Sequence, residues 1–340
     1  MLLSSVIILS APCSAWAIII IPTVPVGDVN NGNDPLAGNL YGGVTYAYRI
    51  GTTEVTNFQY AEFLNAKAKS DPLGLYHPGM GSNARGGITR SGSSPNFSYG
   101  VKTNMGDKPV NFVNWYDSIR FANWLNNGQG PGDTETGAYT LEGFTPTPSN
   151  GLSITRNGGA TWFLTSENEW YKAAYHQPAA QGGDADNFWF YPTASNSPPT
   201  IAAANSVGDI DNPGPNVVNY ALGADWNGQD GNVTTVGSAG LLSQSFYGTS
   251  NQGGNVWEWN EALIDGKRRG FRGGSFNTVP LALHSSNRGV SNPSLEDSIF
   301  GFRVATVPEP GTAVLAMWAF GMMCRYRKRF KQPFAIPRAG

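Results

Sequence analysis

An α+β domain with few regular elements and long loops is the fold class that this chain of 340 residues predicts. Three observations point to it. Charged residues make up only 14%, well under the roughly 25% of ordinary soluble domains. Glycine is abundant, with 43 residues, and Phe, Trp and Tyr together reach 12%, which suits aromatic packing under irregular chain and excludes disorder. Short stretches of strand and helix periodicity alternate with long Gly, Ser and Asn segments.

The elements follow in chain order. Asp28 to Asn39 is rich in Gly, Asn and Pro and reads as a linker. Tyr46 to Val55 alternates as a strand does, with Tyr48, Ile50 and Thr52 on one side. After Thr56, the spacing of Tyr60, Phe63, Leu64 and Ala68 predicts a helix. Pro72 to Gly106 is too long for a casual connection, so it is either functional or packed down. Asn114 is placed to cap a second helix that carries Ile119, Phe121, Ala122, Trp124 and Leu125. Ser166-Glu167-Asn168-Glu169 fits a capping box and starts a third helix through Trp170, Ala173 and Ala174. There is one domain, without internal repeats.

Charge and cysteines narrow the chemistry. The chain carries 24 acids and 22 bases. Arg325, Arg327, Lys328, Arg329, Lys331 and Arg338 lie at the C-terminal end, so the middle of the chain is acidic. No nucleic-acid partner is expected, because that needs a basic surface. The two cysteines are Cys13 and Cys324. The region between them therefore has no disulfide, no thiolate zinc site and no cysteine nucleophile.

Three blocks then occur in order: Gly253-Gly254-Asn255-Val256-Trp257-Glu258-Trp259, Arg272-Gly273-Gly274-Ser275-Phe276 and Gly301-Phe302-Arg303-Val304-Ala305. Upstream stand Ile50 to Tyr60 and Leu164-Thr165-Ser166-Glu167-Asn168-Glu169-Trp170. Together they resemble the formylglycine-generating enzyme family, also called the sulfatase-modifying-factor family, over about Tyr46 to Thr306. The resemblance implies a formylglycine-generating-enzyme-like (C-type-lectin-like) fold. Enzymes of that family bind copper(I) through a cysteine pair between the second and third blocks. Here that interval, Phe276 to Phe300, holds no cysteine, so no copper is expected. A second branch of the family uses iron held by a histidine cluster. This chain has only His77, His176 and His284, and no two of them sit at helical ligand spacing.

Calcium is the cofactor that the resemblance implies. Carried over residue by residue, a structural site would use the Asn251 side chain, the Gly254 and Val256 carbonyls and the Glu258 carboxylate. The every-second-residue spacing suits an extended segment offering mixed oxygens to one ion. A second site would use Asn205 with Asp225 or Asp230. Without calcium, Glu258 reads as a surface carboxylate or as a partner of Arg272. Trp257 and Trp259 read as core residues. Ser275, Asn277, His284 and Arg288 line the interval where the catalytic pair would be, and are cleft residues on that ground.

Both ends read as addresses. Residues 1–17 form an apolar run closing on Ala15-Trp16-Ala17, a secretory signal pattern. Residues 307–331 join Val307-Pro308-Glu309-Pro310, a short apolar run and a basic cluster. That order resembles the PEP-CTERM sorting signal, which implies an exosortase partner and a Gram-negative-type envelope. About thirteen apolar residues span roughly 20 Å as a helix, short of the roughly 30 Å hydrocarbon core, so contact with membrane through the tail is at least transient. With 28–306 as the folded domain, the sequence reads as a secreted, calcium-stabilised module binding an extracellular polysaccharide or peptide. The alternative is a cysteine-independent, metal-dependent oxidase or protein-modifying enzyme, for which His284 with Glu296 and Asp297 is the local ligand set.

Overall fold

The computed structural model describes residues 18–307. The signal pattern of residues 1–17 and the sorting signal beyond Val307 lie outside the described residues. In chain order the regular elements are β1 (Thr23–Val26), β2 (Tyr48–Gly51), α1 (Asn57–Lys67), α2 (Gly79–Ser82), β3 (Ile88–Ser91), β4 (Ser98–Val101), α3 (Trp115–Asn126), β5 (Trp162–Leu164), α4 (Glu167–Tyr175), β6 (Thr200–Ile201), β7 (Val217–Val218), β8 (Trp257–Ile264), β9 (Arg268–Arg272), β10 (Gly289–Ser291), β11 (Phe300–Gly301) and β12 (Val304–Thr306). Mixed, short and widely spaced, they are the α+β arrangement expected from the sequence.

The three longer helices start where their caps stand. Thr56, Asn114 and Ser166 each accept from the backbone of the third helical residue, whose side chain returns to the cap. Each capping box satisfies two backbone donors that a helix start leaves open. The Pro72 to Gly106 segment is packed down, as α2 and the β3–β4 hairpin.

Two four-stranded sheets carry the fold. The first runs β1-β2-β12-β5 and is antiparallel throughout. The second runs β10-β9-β8-β11, with β11 parallel to β8. Strand pairing thus brings the three blocks together: Glu258 faces Arg272 on one side and Gly301 on the other. Gly254 has φ +71° and a Cβ there would sit 2.0 Å from the Asn219 carbonyl oxygen, so only glycine fits the turn that feeds β8.

Aromatic residues fill the space between helices and sheets. Tyr60 and Phe63 of α1 meet Phe121 and Trp124 of α3 and Phe302, with ring centroids 5.3–6.4 Å apart. Trp257 and Trp259 are buried against Phe271, and Trp259 also stacks on Phe300 at 5.0 Å. Their core role is the one expected.

Two boundaries are corrected. β1 pairs with β2 ahead of Asp28, so the folded unit begins before the expected boundary. Asp28 to Asn39 is not a linker. Asp34 is buried, accepts from the Tyr171 hydroxyl and from the Leu36 and Ala37 amides, and ties the loop to α4. Glycine, asparagine and proline make the same composition in a tethered loop as in a free one.

Candidate functional site

Two polar centres lie under and beside the three blocks. The first is fully buried. Glu258 projects from β8, and Arg303 from the joint between β11 and β12. The guanidinium binds the carboxylate at both ends, Nε to Oε2 at 2.5 Å and Nη2 to Oε1 at 2.6 Å. Trp170 Nε1 adds a bond to Oε2 at 2.7 Å. Arg303 also donates to the Gly51 and Ser250 carbonyls, each at 3.0 Å. A fork of this kind is the strong geometry for a guanidinium and a carboxylate.

Glu54, at the turn from β2 to α1, completes this centre. Its Oε1 accepts from Asn255 Nδ2 at 3.1 Å, while its Oε2 is buried without a hydrogen-bond partner. Burial raises its pKa to about 8, the charge of Glu258 adds to the rise, and Arg303 works against it. Two carboxyls and one guanidinium share a dry space, and a proton on Glu54 balances the charge.

Glu258 is therefore neither a surface carboxylate nor the partner of Arg272. As arranged, it also does not fit the first calcium set. Both its oxygens are engaged, and an ion there would sit beside a buried guanidinium. Asn251 Oδ1 accepts from the Gly237 amide at 2.8 Å. Of the second set, the Asn205 and Asp225 side chains are taken up by local turns. Asn205 Oδ1 accepts from the Val207 and Asp209 amides, and Asp225 Oδ1 from that of Gly231. The Asp230 carbonyl accepts from Arg85. Among the described residues no group of three or more His, Cys, Asp or Glu could hold a metal.

The second centre is half-buried, where α4 begins. Glu167 is the first helical residue, and two arginines converge on it. Arg272 Nε donates to Oε1 at 2.8 Å; Arg288 donates from Nε to Oε1 at 3.0 Å and from Nη2 to Oε2 at 2.5 Å. Arg272 is fully buried, its Nη1 bonded to the Ser285 and Asn287 carbonyls and its Nη2 without a hydrogen-bond partner. The Tyr41 ring lies 4.5 Å from the Arg272 guanidinium and 5.4 Å from that of Arg288. Tyr171 lies 4.9 Å from Arg272 and donates its hydroxyl to Asp34 at 2.5 Å.

The predicted cleft residues divide around this centre. Arg288 belongs to it directly. His284 stacks on Phe190 at 4.7 Å, and burial holds its pKa below the usual imidazole value, with the charge of Asp34 opposing. The Ser286 amide donates to its Nδ1, so the neutral ring carries its proton on Nε2. Ser275 and Asn277 instead bond to each other at 2.8 Å and fasten the turn after Gly274. The set of His284 with Glu296 and Asp297 is not assembled. Glu296 lies 3.9 Å from His77 and bonds Asn114, while Asp297 accepts from Ser298. His176 sits elsewhere again, between Asp28 and Tyr247. Sequence reasoning missed Glu54, Glu167 and Tyr41 as members of these centres. Glu54, the one charged residue between Arg49 and Glu62, was the available signal.

Residues 23–307 match the family model described as a sulfatase-modifying factor enzyme 1-like domain. Among curated proteins, the chain is 24% identical over 289 residues to the hercynine oxygenase of Mycolicibacterium smegmatis. The alignment covers 76% of this chain and 53% of that protein, so the chain spans about half the length of the curated relative it matches. Among solved structures, CarF superposes with a TM-score of 0.51 at 22% identity, over 86% of this chain and 100% of its own. PvdO from Pseudomonas aeruginosa gives 0.44 at 18%, over 78% and 82%. The likeness to CarF is one of fold.

Proposed function

Since the chain belongs to the sulfatase-modifying-factor family and has its α+β fold, we propose that it is a secreted, envelope-sorted member that binds an extracellular glycan or peptide rather than oxidising a cysteine. The observation that carries this reading is the content of the interval between the second and third blocks. It has no cysteine for a copper-thiolate site. In its place His284 and Arg288 stand half-buried beside Tyr41 and Phe190, an arrangement of aromatic faces and ionic hydrogen-bond donors suited to holding a ligand.

Export and sorting rest on the terminal patterns: the apolar run of residues 1–17 and the Pro-Glu-Pro, apolar and basic order of residues 307–331. In this reading an exosortase-type enzyme processes the tail. The buried Glu258–Arg303 pair ties the first block to the third.

The name of the curated relative favours a second reading, a cysteine-independent, metal-dependent oxidase or protein-modifying enzyme. One experiment separates the two. The purified chain is titrated with glycan and peptide libraries, and its metal content and oxygen consumption are measured on the same sample. Saturable binding without turnover supports the binding module. Stoichiometric iron or copper with ligand-dependent oxygen consumption refutes it.

A further inference from the structure

We propose that the Arg272–Arg288 centre binds an acidic saccharide through one monoanionic oxyanion, a uronate carboxylate or a sulfate ester. This deepens the preceding reading and rests on it. Two guanidiniums share the single carboxylate of Glu167, so the direct pairs leave one positive charge over. Arg288 is 27% exposed, and its bonds run through Nε and Nη2; Nη1 is left for a ligand. Arg272 stands behind it with Nη2 buried and unpartnered. A buried, charged N–H without an acceptor is costly, so Arg272 keeps this corner of the site electrostatically unsatisfied.

The neighbours decide which anion fits. Glu167 and Asp34 are both close, the latter bonded to Tyr171, whose ring touches Arg272. A doubly charged phosphate would meet both carboxylates, whereas a single charge facing Arg288 Nη1 meets less repulsion. A planar fork also matches a carboxylate or sulfate edge better than a point cation would. Tyr41 lies by both guanidiniums as a half-buried ring, and Ser285, whose carbonyl accepts from Arg272, donates its amide to the Phe190 carbonyl, on whose ring His284 stacks. Flat rings beside a charged fork suit the C–H face and acid group of a sugar. The rest of the domain is acidic, so the paired guanidiniums are a local feature. It selects an acidic group on a chain and repels a densely charged polymer.

The test uses the full chain and calorimetric titration at physiological salt with four probes: digalacturonate, its methyl ester, a monosulfated disaccharide and a glutamate-rich peptide. The acid or the sulfate ester should bind at least about tenfold more tightly than the neutral methyl ester, and Arg288→Met should remove most of that difference. Melting of Arg288→Met near the parent temperature shows that the variant is folded. If it is not, Arg288→Lys, which keeps the charge and loses the fork, should still weaken binding several-fold. Binding of acid and methyl ester with equal affinity overturns this inference and leaves the binding-module reading standing. Binding of the peptide alone does the same. If Arg288→Met binds as the parent does, the site is wrong. If glycan and peptide libraries also give no binding at all, the parent reading falls with it.

Discussion

Replacing Glu54 by glutamine should change how the stability of this domain responds to pH. Glu54 is fully buried, its Oε2 has no hydrogen-bond partner, and burial with the nearby charge of Glu258 raises its pKa from the usual 4.5 to about 8. Below pH 4.5 the folded and unfolded chains both hold the proton, and the group is neutral to stability. Between 4.5 and about 8 only the folded chain holds it, so stability is lost as pH rises, by about 1.4 kcal/mol per pH unit. Above about 8 both states are ionised and the loss levels off. The whole window is worth up to roughly 5 kcal/mol, and coupling to the neighbouring charges brings the expectation to about 2–5 kcal/mol. Glutamine keeps the oxygen that accepts from Asn255 and needs no proton. Urea denaturation of parent and Glu54→Gln chains from pH 5.5 to 8.5 reads the difference directly, because groups common to both cancel. The variant should gain on the parent by about 2–3 kcal/mol across that range. A stability gap that does not change with pH would refute the assignment of the buried proton to Glu54.

Three further outcomes follow from the same geometry. Arg303→Met leaves Glu258 buried without its partner and should cost about 3–5 kcal/mol in denaturation; in the Glu258→Gln background the same change should cost much less, and equal losses would contradict the pairing. Chelation with EDTA should leave the melting temperature unchanged, since a guanidinium holds the carboxylate of Glu258; a fall of several degrees, reversed by calcium, would restore the oxygen ligands read from the sequence. Gly254→Ala adds a Cβ 2.0 Å from a backbone oxygen at φ +71°, and should lower stability by about 3 kcal/mol or more, measured by thermal melting against Gly158→Ala, where nothing lies within 4 Å.

Much of the fold was legible because its rules are local. A capping box spans four residues, so Thr56, Asn114 and Ser166 announce helix starts wherever the helices later pack. Helical spacing shows which faces of α1 and α3 are apolar. The lack of cysteine between Ser14 and Met323 leaves that stretch without a thiolate, a fact read before any coordinate is known.

Partner choice was not legible. Glu258 faces Arg272 across the β8–β9 ladder, which a reader of the sequence would pair, yet Arg303 takes the carboxylate and Arg272 reaches Glu167. Several arginines and carboxylates come within reach of one another once the strands align, and small differences in approach then decide between them. The Asp34 loop is held to α4 by Tyr171 and, through Asp28, by Lys172, partners far away in the chain. Glu54 comes from the far end of the chain to the buried pair, and its proton follows from a dry, crowded space that only the packed fold creates. The sequence by itself determined the family, the helix starts and the missing thiolates, each set by short-range pattern or by residue type alone. Only the tertiary structure decided which charges meet, because that depends on distances between residues remote in the chain.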